Sequence, residues 1–135
     1  MNNKSTFQLL QFVIYRKNGK LVFNHKFTAG DLSQNLFGAI YATKNIVLAF
    51  DKSPEPQFNF YSTDSYSAHI FESQTGFIFI LLTSTVQTPF YSNIRQFYQQ
   101  IYTTYVVAQP GYTQTNPIFT ELFIIQLTNW ANQLK

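Results

Sequence analysis

The chain has 135 residues, 45% of them hydrophobic and 11% charged, with a formal net charge of +3. That length suits one domain around one core, and the absence of cysteine excludes disulfides, thiolate metal sites and a cysteine nucleophile together. The pI near 9.2 reflects scarce acids, six against nine basic residues, and not a dense basic surface able to neutralise many phosphates, so nucleic acid is not an expected partner.

Without a disulfide framework to exploit, a reducing compartment is the expected home. The N-terminus has no long apolar run, which argues against a secretory signal. No stretch approaches the roughly 18–20 apolar residues needed to span a bilayer, and Asn2 and the missing cysteines leave no lipidation signal. A cytoplasmic protein is expected. Arg16, Lys17, Lys20 and Lys26 are the only local basic cluster, and they flank one predicted turn. They read as a solvated hairpin, with weak contact to an acidic membrane or partner as the alternative. The chain is 19% aromatic, with 15 Phe and 9 Tyr. One small core cannot easily bury so many rings, so some are expected at a surface that meets another protein. A/T-rich codon usage accounts for part of the excess but not for its placement.

The run Phe7–Tyr15 is apolar on both faces and rich in β-formers, and it predicts a strand buried on both sides. Asn18-Gly19 marks a hairpin. In the return strand 21–27, Leu21, Phe23 and Phe27 are expected on one face and Lys20, Asn24 and Lys26 on the other, as in an outer strand. Gly30 breaks the pattern, and Asp31 with Gln34 resembles a capping box. A helix is predicted from about Leu32 to Phe50. Leu32, Leu36, Ala39, Thr43, Val47 and Phe50 form one apolar stripe, and Phe37, Ile40, Tyr41 and Leu48 lie beside it. The arc is wider than one sheet contact requires. These last four residues are therefore candidate contacts to another subunit, with packing against the chain's own sheet as the alternative.

Two prolines make Asp51–Pro56 a loop. Three strands are predicted next, Phe58–Ser62, Tyr66–Glu72 and Phe77–Leu82, the last without a polar face and so central. Thr88-Pro89 opens a helix with a stripe of Ile94, Phe97, Tyr98, Ile101 and Tyr105, ended by Pro110-Gly111. Asn116-Pro117 opens the last helix, with Phe119, Leu122, Phe123, Leu127, Trp130 and Leu134 on its apolar side. The order is β-β-α-β-β-β-α-α, an α/β (α+β) domain over residues 1–135. The first and fifth strands are expected side by side in the middle, with the second and third strands at the edges. One helix covers one face of the sheet and two cover the other.

Catalytic chemistry has no inventory here. His25 and His69 stand alone in predicted strands, and the six acids are scattered. No HExxH, Gly-rich phosphate loop or GxSxG elbow is present. No catalytic residue, metal ligand or cofactor is assigned, and the chain reads as a non-enzyme that binds proteins.

The segment Ser65–Gly76 resembles the Tyr-x-x-His-aromatic-aromatic-Glu-Thr-Pro-Thr-Gly run of the trafficking protein particle (TRAPP) complex subunit 1 family, the small longin-like core subunits of a tethering complex. Tyr66, His69, Phe71, Glu72, Thr75 and Gly76 carry the match, with Ile70 for an aromatic and Ser73-Gln74 for Thr-Pro. Val13–Gly19, Leu36-Phe37-Gly38, Ile94-Arg95, Ile101-Tyr102, Tyr105-Val106 and Glu121-Leu122-Phe123 are similar to that family's other elements. The resemblance implies a longin-like (profilin-like) fold and a core subunit with other TRAPP subunits as partners. It also implies a role in forming the surface that exchanges nucleotide on a Rab-type GTPase in endoplasmic reticulum to Golgi transport. Membrane association would then be peripheral, through the complex. Tyr66, His69 and Glu72 are expected to serve strand pairing and turn geometry, with partner contact as the alternative. A sigma-type small subunit of a clathrin adaptor is the runner-up, weakened by the missing Arg-Arg-Tyr strand segment.

Overall fold

The computed structural model describes residues 7–31, 36–50, 59–86, 90–113 and 117–134. Leu32 and Gln34 at the predicted helix start, Asp51–Pro56, Phe58, Thr88-Pro89 and Asn116 lie outside these residues.

Five strands form one antiparallel sheet: β1 (Leu9–Arg16), β2 (Leu21–Lys26), β3 (Phe60–Ser62), β4 (Ser67–Glu72) and β5 (Phe77–Thr83). Their spatial order is β2-β1-β5-β4-β3. The two strands without a polar face are therefore neighbours at the centre, in the register Val13↔Ile80 and Ile14↔Phe79. Burial on both faces is what an all-apolar strand requires, and β5 is buried at every position. Lysines at the rim of β2 suit it to an edge.

The β1–β2 turn closes with the Gly19 N–H donating to Arg16 O at 2.8 Å and the Lys20 N–H to Asn18 Oδ1 at 3.0 Å. Gly19 sits at φ +96°, where a Cβ is strained. One expectation on β2 fails. Ile14 pairs with Phe23, but Tyr15 pairs with Leu21. This bulge at Val22 turns Leu21 to the opposite face from Phe23, because one extra residue inverts the alternation.

Alternate β-strand residues feed two cores. Phe12, Ile14, Phe77, Phe79 and Leu81 meet Ile94, Phe97, Tyr102, Phe123 and Leu127 on one face. Val13, Tyr15, Ile70, Ile78, Ile80 and Leu82 meet Leu36 and Ile40 on the other. Helix α1 (Leu36–Phe50) thus covers one face, while α2 (Tyr91–Phe97), its π-helical continuation Tyr98–Val107, and α3 (Glu121–Gln133) cover the opposite one.

The long helix departs from the predicted stripe. Its buried line runs Ile94, Phe97, Tyr102, Val106, so a five-residue step places Tyr102, and not Ile101, in the core. A π-helix bonds i to i+5, as the Ala108 N–H does to Thr103 O, and its wider turn rotates the buried face. The hydroxyls of Thr103 and Thr104 donate to the carbonyls of Gln99 and Gln100 at 2.6 and 2.9 Å, competing with the backbone ladder there. The Tyr102 hydroxyl is buried, and burial, with the Tyr112 phenol beside it, raises its pKa. In α3 the Thr120 hydroxyl caps the Phe123 N–H. Phe123 and Leu127 of the expected apolar side are buried, together with Ala131, whereas Leu122 is exposed.

Candidate functional site

Helix α1 has the wrong surface for solvent. Only Leu36 and Ile40 are buried. Of its nine exposed residues, Asn45 alone is polar. The predicted stripe is displaced: Ala39, Val47 and Phe50 face outward, because the helix seats on Leu36 and Ile40, one turn apart, and not on Leu36 and Ala39. Tyr41 is 57% exposed, Ile46 61% and Phe50 80%. Gly38, Ala42, Asn45 and Ala49 form a line of small exposed residues, and no heavy atom lies within 4 Å of a Cβ built on Gly38. A surface helix ordinarily presents charge on its outer face, and a contiguous apolar patch marks a contact surface.

The four candidate contacts are placed differently. Ile40 is buried at 5% exposure and belongs to the sheet-facing core. The Phe37 ring packs on Tyr15 at 5.5 Å between centroids and stacks with Tyr41 at 6.0 Å. Leu48 is half-buried, and only Tyr41 points mainly to solvent. Ile46 and Phe50 complete the exposed face. Ile46 was not singled out by its sequence, and only its position opposite the seated stripe would have marked it.

The residues shared with the TRAPP motif act along β4. His69 is fully buried; its Nδ1 accepts from the Phe90 N–H at 2.9 Å and its Nε2 lies 3.1 Å from Thr83 Oγ1. The backbone donor at Nδ1 fixes the proton on Nε2. Burial lowers its pKa to about 4, so the ring is neutral and ties β4 to β5 and to the start of α2. Tyr66 meets Tyr61, hydroxyl to hydroxyl, at 2.9 Å, and desolvation with that bond raises the Tyr61 phenol. Phe71 packs among Phe79, Tyr91 and Tyr98.

Glu72 receives Lys44 of α1 at 3.0 and 3.2 Å, which pins the helix to the sheet. Thr75 and Gly76 shape the β4–β5 turn: Ser73 Oγ is 3.0 Å from Thr75 Oγ1 and accepts from the Phe77 N–H. Gly76 adopts φ +94°, and its carbonyl accepts from the Lys17 N–H at 3.1 Å, joining the two turns. Phe71, Glu72 and Thr75 also meet Tyr91, Arg95 and Tyr98 in an open cleft of about 460 Å³. Tyr66 and His69 stand at the other end of the strand.

Among the described residues no three of His, Cys, Asp and Glu come together as a metal site, and no helix is long and apolar enough to cross a membrane. A five-stranded antiparallel sheet between one helix and a helix pair defines a longin-like α/β domain. The chain belongs to the Sybindin-like family, which it matches over residues 9–134. It is 26% identical to trafficking protein particle complex subunit 1 of Dictyostelium discoideum, over 90% of this chain and 92% of that protein. It is also 26% identical to transport protein particle subunit bet5 of Schizosaccharomyces pombe, over 91% of this chain and 95% of that protein. The resemblance read from Ser65–Gly76 and Glu121–Phe123 therefore extends over nearly the whole chain.

Proposed function

We propose that this chain is a small, non-catalytic core subunit of a TRAPP-type tethering complex, held against sister subunits through the outer face of α1. The observation that carries the reading is that face: nine exposed residues with one polar side chain. Left in water it is costly, at about 25 cal/mol per Å² of apolar surface, and its small residues let a second helix approach closely. The names of the two relatives supply the kind of complex. Within it the chain helps form the surface that favours the nucleotide-free state of a Rab-type GTPase, in endoplasmic reticulum to Golgi transport. Such exchange needs only differential binding, with no chemistry on the nucleotide. The chain reaches Golgi and endoplasmic reticulum membranes peripherally, through the complex.

The test is co-expression with the sister small subunits of the same organism, followed by gel filtration and an exchange assay on the assembly. Tyr41→Asp, alone and with Phe50→Asp, is expected to abolish co-elution while the free chain keeps its circular dichroism spectrum. Unchanged co-elution of the double variant would remove α1 from the interface. Recovery of large adaptin chains from native cells would favour the adaptor reading instead.

A further inference from the structure

A gap opens in the contact between α1 and its sheet. Where the helix passes the β1–β2 turn, a cavity of about 160 Å³ opens, with Phe37 and Tyr41 as walls and Lys17, Lys44 and Glu72 at its rim. Its floor is Ile40, Ile70 and Ile78, all under 9% exposed in the core. The Phe37 wall is set by the backbone: its ring lies over Gly19, where a Cβ would come within 3.2 Å. A floor of buried core residues and a Phe37 ring held over Gly19 leave the cavity largely preformed, so ordering it costs a partner little.

Size decides what enters. Small-molecule pockets run to roughly 300–1,000 Å³, whereas an aliphatic cavity of roughly 150 Å³ takes one benzene. One ring or one leucine-sized side chain fits, and no more. Charge decides what flanks it. The Glu72 carboxylate is occupied by Lys44 at 3.0 Å. Lys17 is exposed and has no acidic partner among the described residues, so the rim carries one uncompensated positive charge. Tyr41 belongs both to this cavity and to the exposed face of α1, which joins the two surfaces.

We infer that this cavity is the anchor site for one apolar side chain of an adjoining protein subunit, aromatic or leucine-sized, which presents a carboxylate beside it to Lys17. Interfaces concentrate their binding free energy in such desolvated anchors, with charged pairs at the rim setting register. The inference rests on the subunit reading given above.

The test uses the free chain, methyl-resolved NMR and two probes: N-acetylphenylalanine, with ring and carboxylate, and N-acetylphenylalaninamide, with the ring alone. Saturable shifts are expected at the Ile70 and Ile78 methyls. The carboxylate probe should bind about threefold to fivefold tighter, the worth of one exposed ion pair, and Lys17→Glu should abolish that advantage. In the assembled complex the same probes should no longer bind. Absence of saturable shifts, equal affinity for the two probes, or undiminished binding to the complex each overturns the assignment. Failure of the subunit reading looks different: no complex forms with sister subunits. That result removes the proposed occupant, while the free-chain titrations still report on the cavity.

Discussion

The helix pair on one face of the sheet and the single helix on the other differ in what they show to solvent. Along α2 and its π-helical continuation seven residues are exposed and six are polar, Val107 being the exception. Along α1 the proportion is reversed, one polar residue in nine. The buried sides differ as well. The helix pair closes over linked rings, with Phe79 against Tyr98 and Tyr102 at 5.3 and 5.0 Å, and Phe97 against Trp130 at 4.7 Å. Helix α1 is seated by Leu36 and Ile40, by Phe37 on Tyr15, and by the Lys44–Glu72 pair. Helix α3 shows four polar residues to solvent, Glu121, Asn129, Asn132 and Gln133, with Leu122 and Ile125 beside them, so apolar exposure is densest on α1. The lesson is that exposed apolar area informs when it is concentrated on one element while an equivalent element of the same chain is properly solvated.

The largest expected effect sharpens that contrast. Phe79→Ala should cost about 3–5 kcal/mol by opening the ring cluster. Phe50→Ala, 80% exposed in the free chain, should stay within about 0.5 kcal/mol. Urea unfolding of the two variants reads both. Similar losses would mean that α1 is packed as tightly as the helix pair.

The second effect is acid sensitivity on the face that the helix pair covers. The His69 pKa is lowered from 6.5 to about 4 by burial, so the unfolded chain takes up its proton first as pH falls. Stability is fully present above the unfolded pKa and is lost as pH drops from 6.5 towards 4, by about 3 kcal/mol in total. His69→Gln should therefore be less stable near neutrality yet lose less between neutrality and mild acid. Parallel pH profiles of urea midpoints for the two proteins would show that His69 does not carry the dependence.

A third effect is small. Lys44 and Glu72 are each about one-third exposed, at 32% and 33%, and solvent screening limits such a pair to about 0.2–1 kcal/mol. A double-mutant cycle with Lys44→Met and Glu72→Gln should return a coupling in that range. A larger value would mean that the seat of α1 is more electrostatic than apolar.

Much of this was legible beforehand. The run Phe7–Tyr15, apolar on both faces, and the all-apolar run Phe77–Leu82 demanded two covered faces, and only central, adjacent positions supply them. Asn18-Gly19 and the alternation after it called for a hairpin ending in an edge strand. The candidate site was legible in part: an apolar arc too wide for one sheet pointed to α1 as a whole. Which of its residues face outward was not. Assigning the arc to sheet or solvent depends on the rotation of the helix, which Leu36 and Ile40 set by packing against Val13, Tyr15, Ile80 and Leu82. The same limit applies to Leu122 in α3, which is exposed, and to Ile101 in the π-helix, where a wider turn breaks the 3.6-residue period of an apolar stripe.

By itself, then, the sequence determined the elements, their order, the central pair of strands and the absence of a cysteine framework. Those follow from local propensity and from the requirement that apolar strands be buried. Only the tertiary structure decided the bulge at Val22, the rotation of α1, the π register through Tyr102 and the cavity beneath Phe37. Each of these depends on how separate elements share one space, and residue order records that only indirectly.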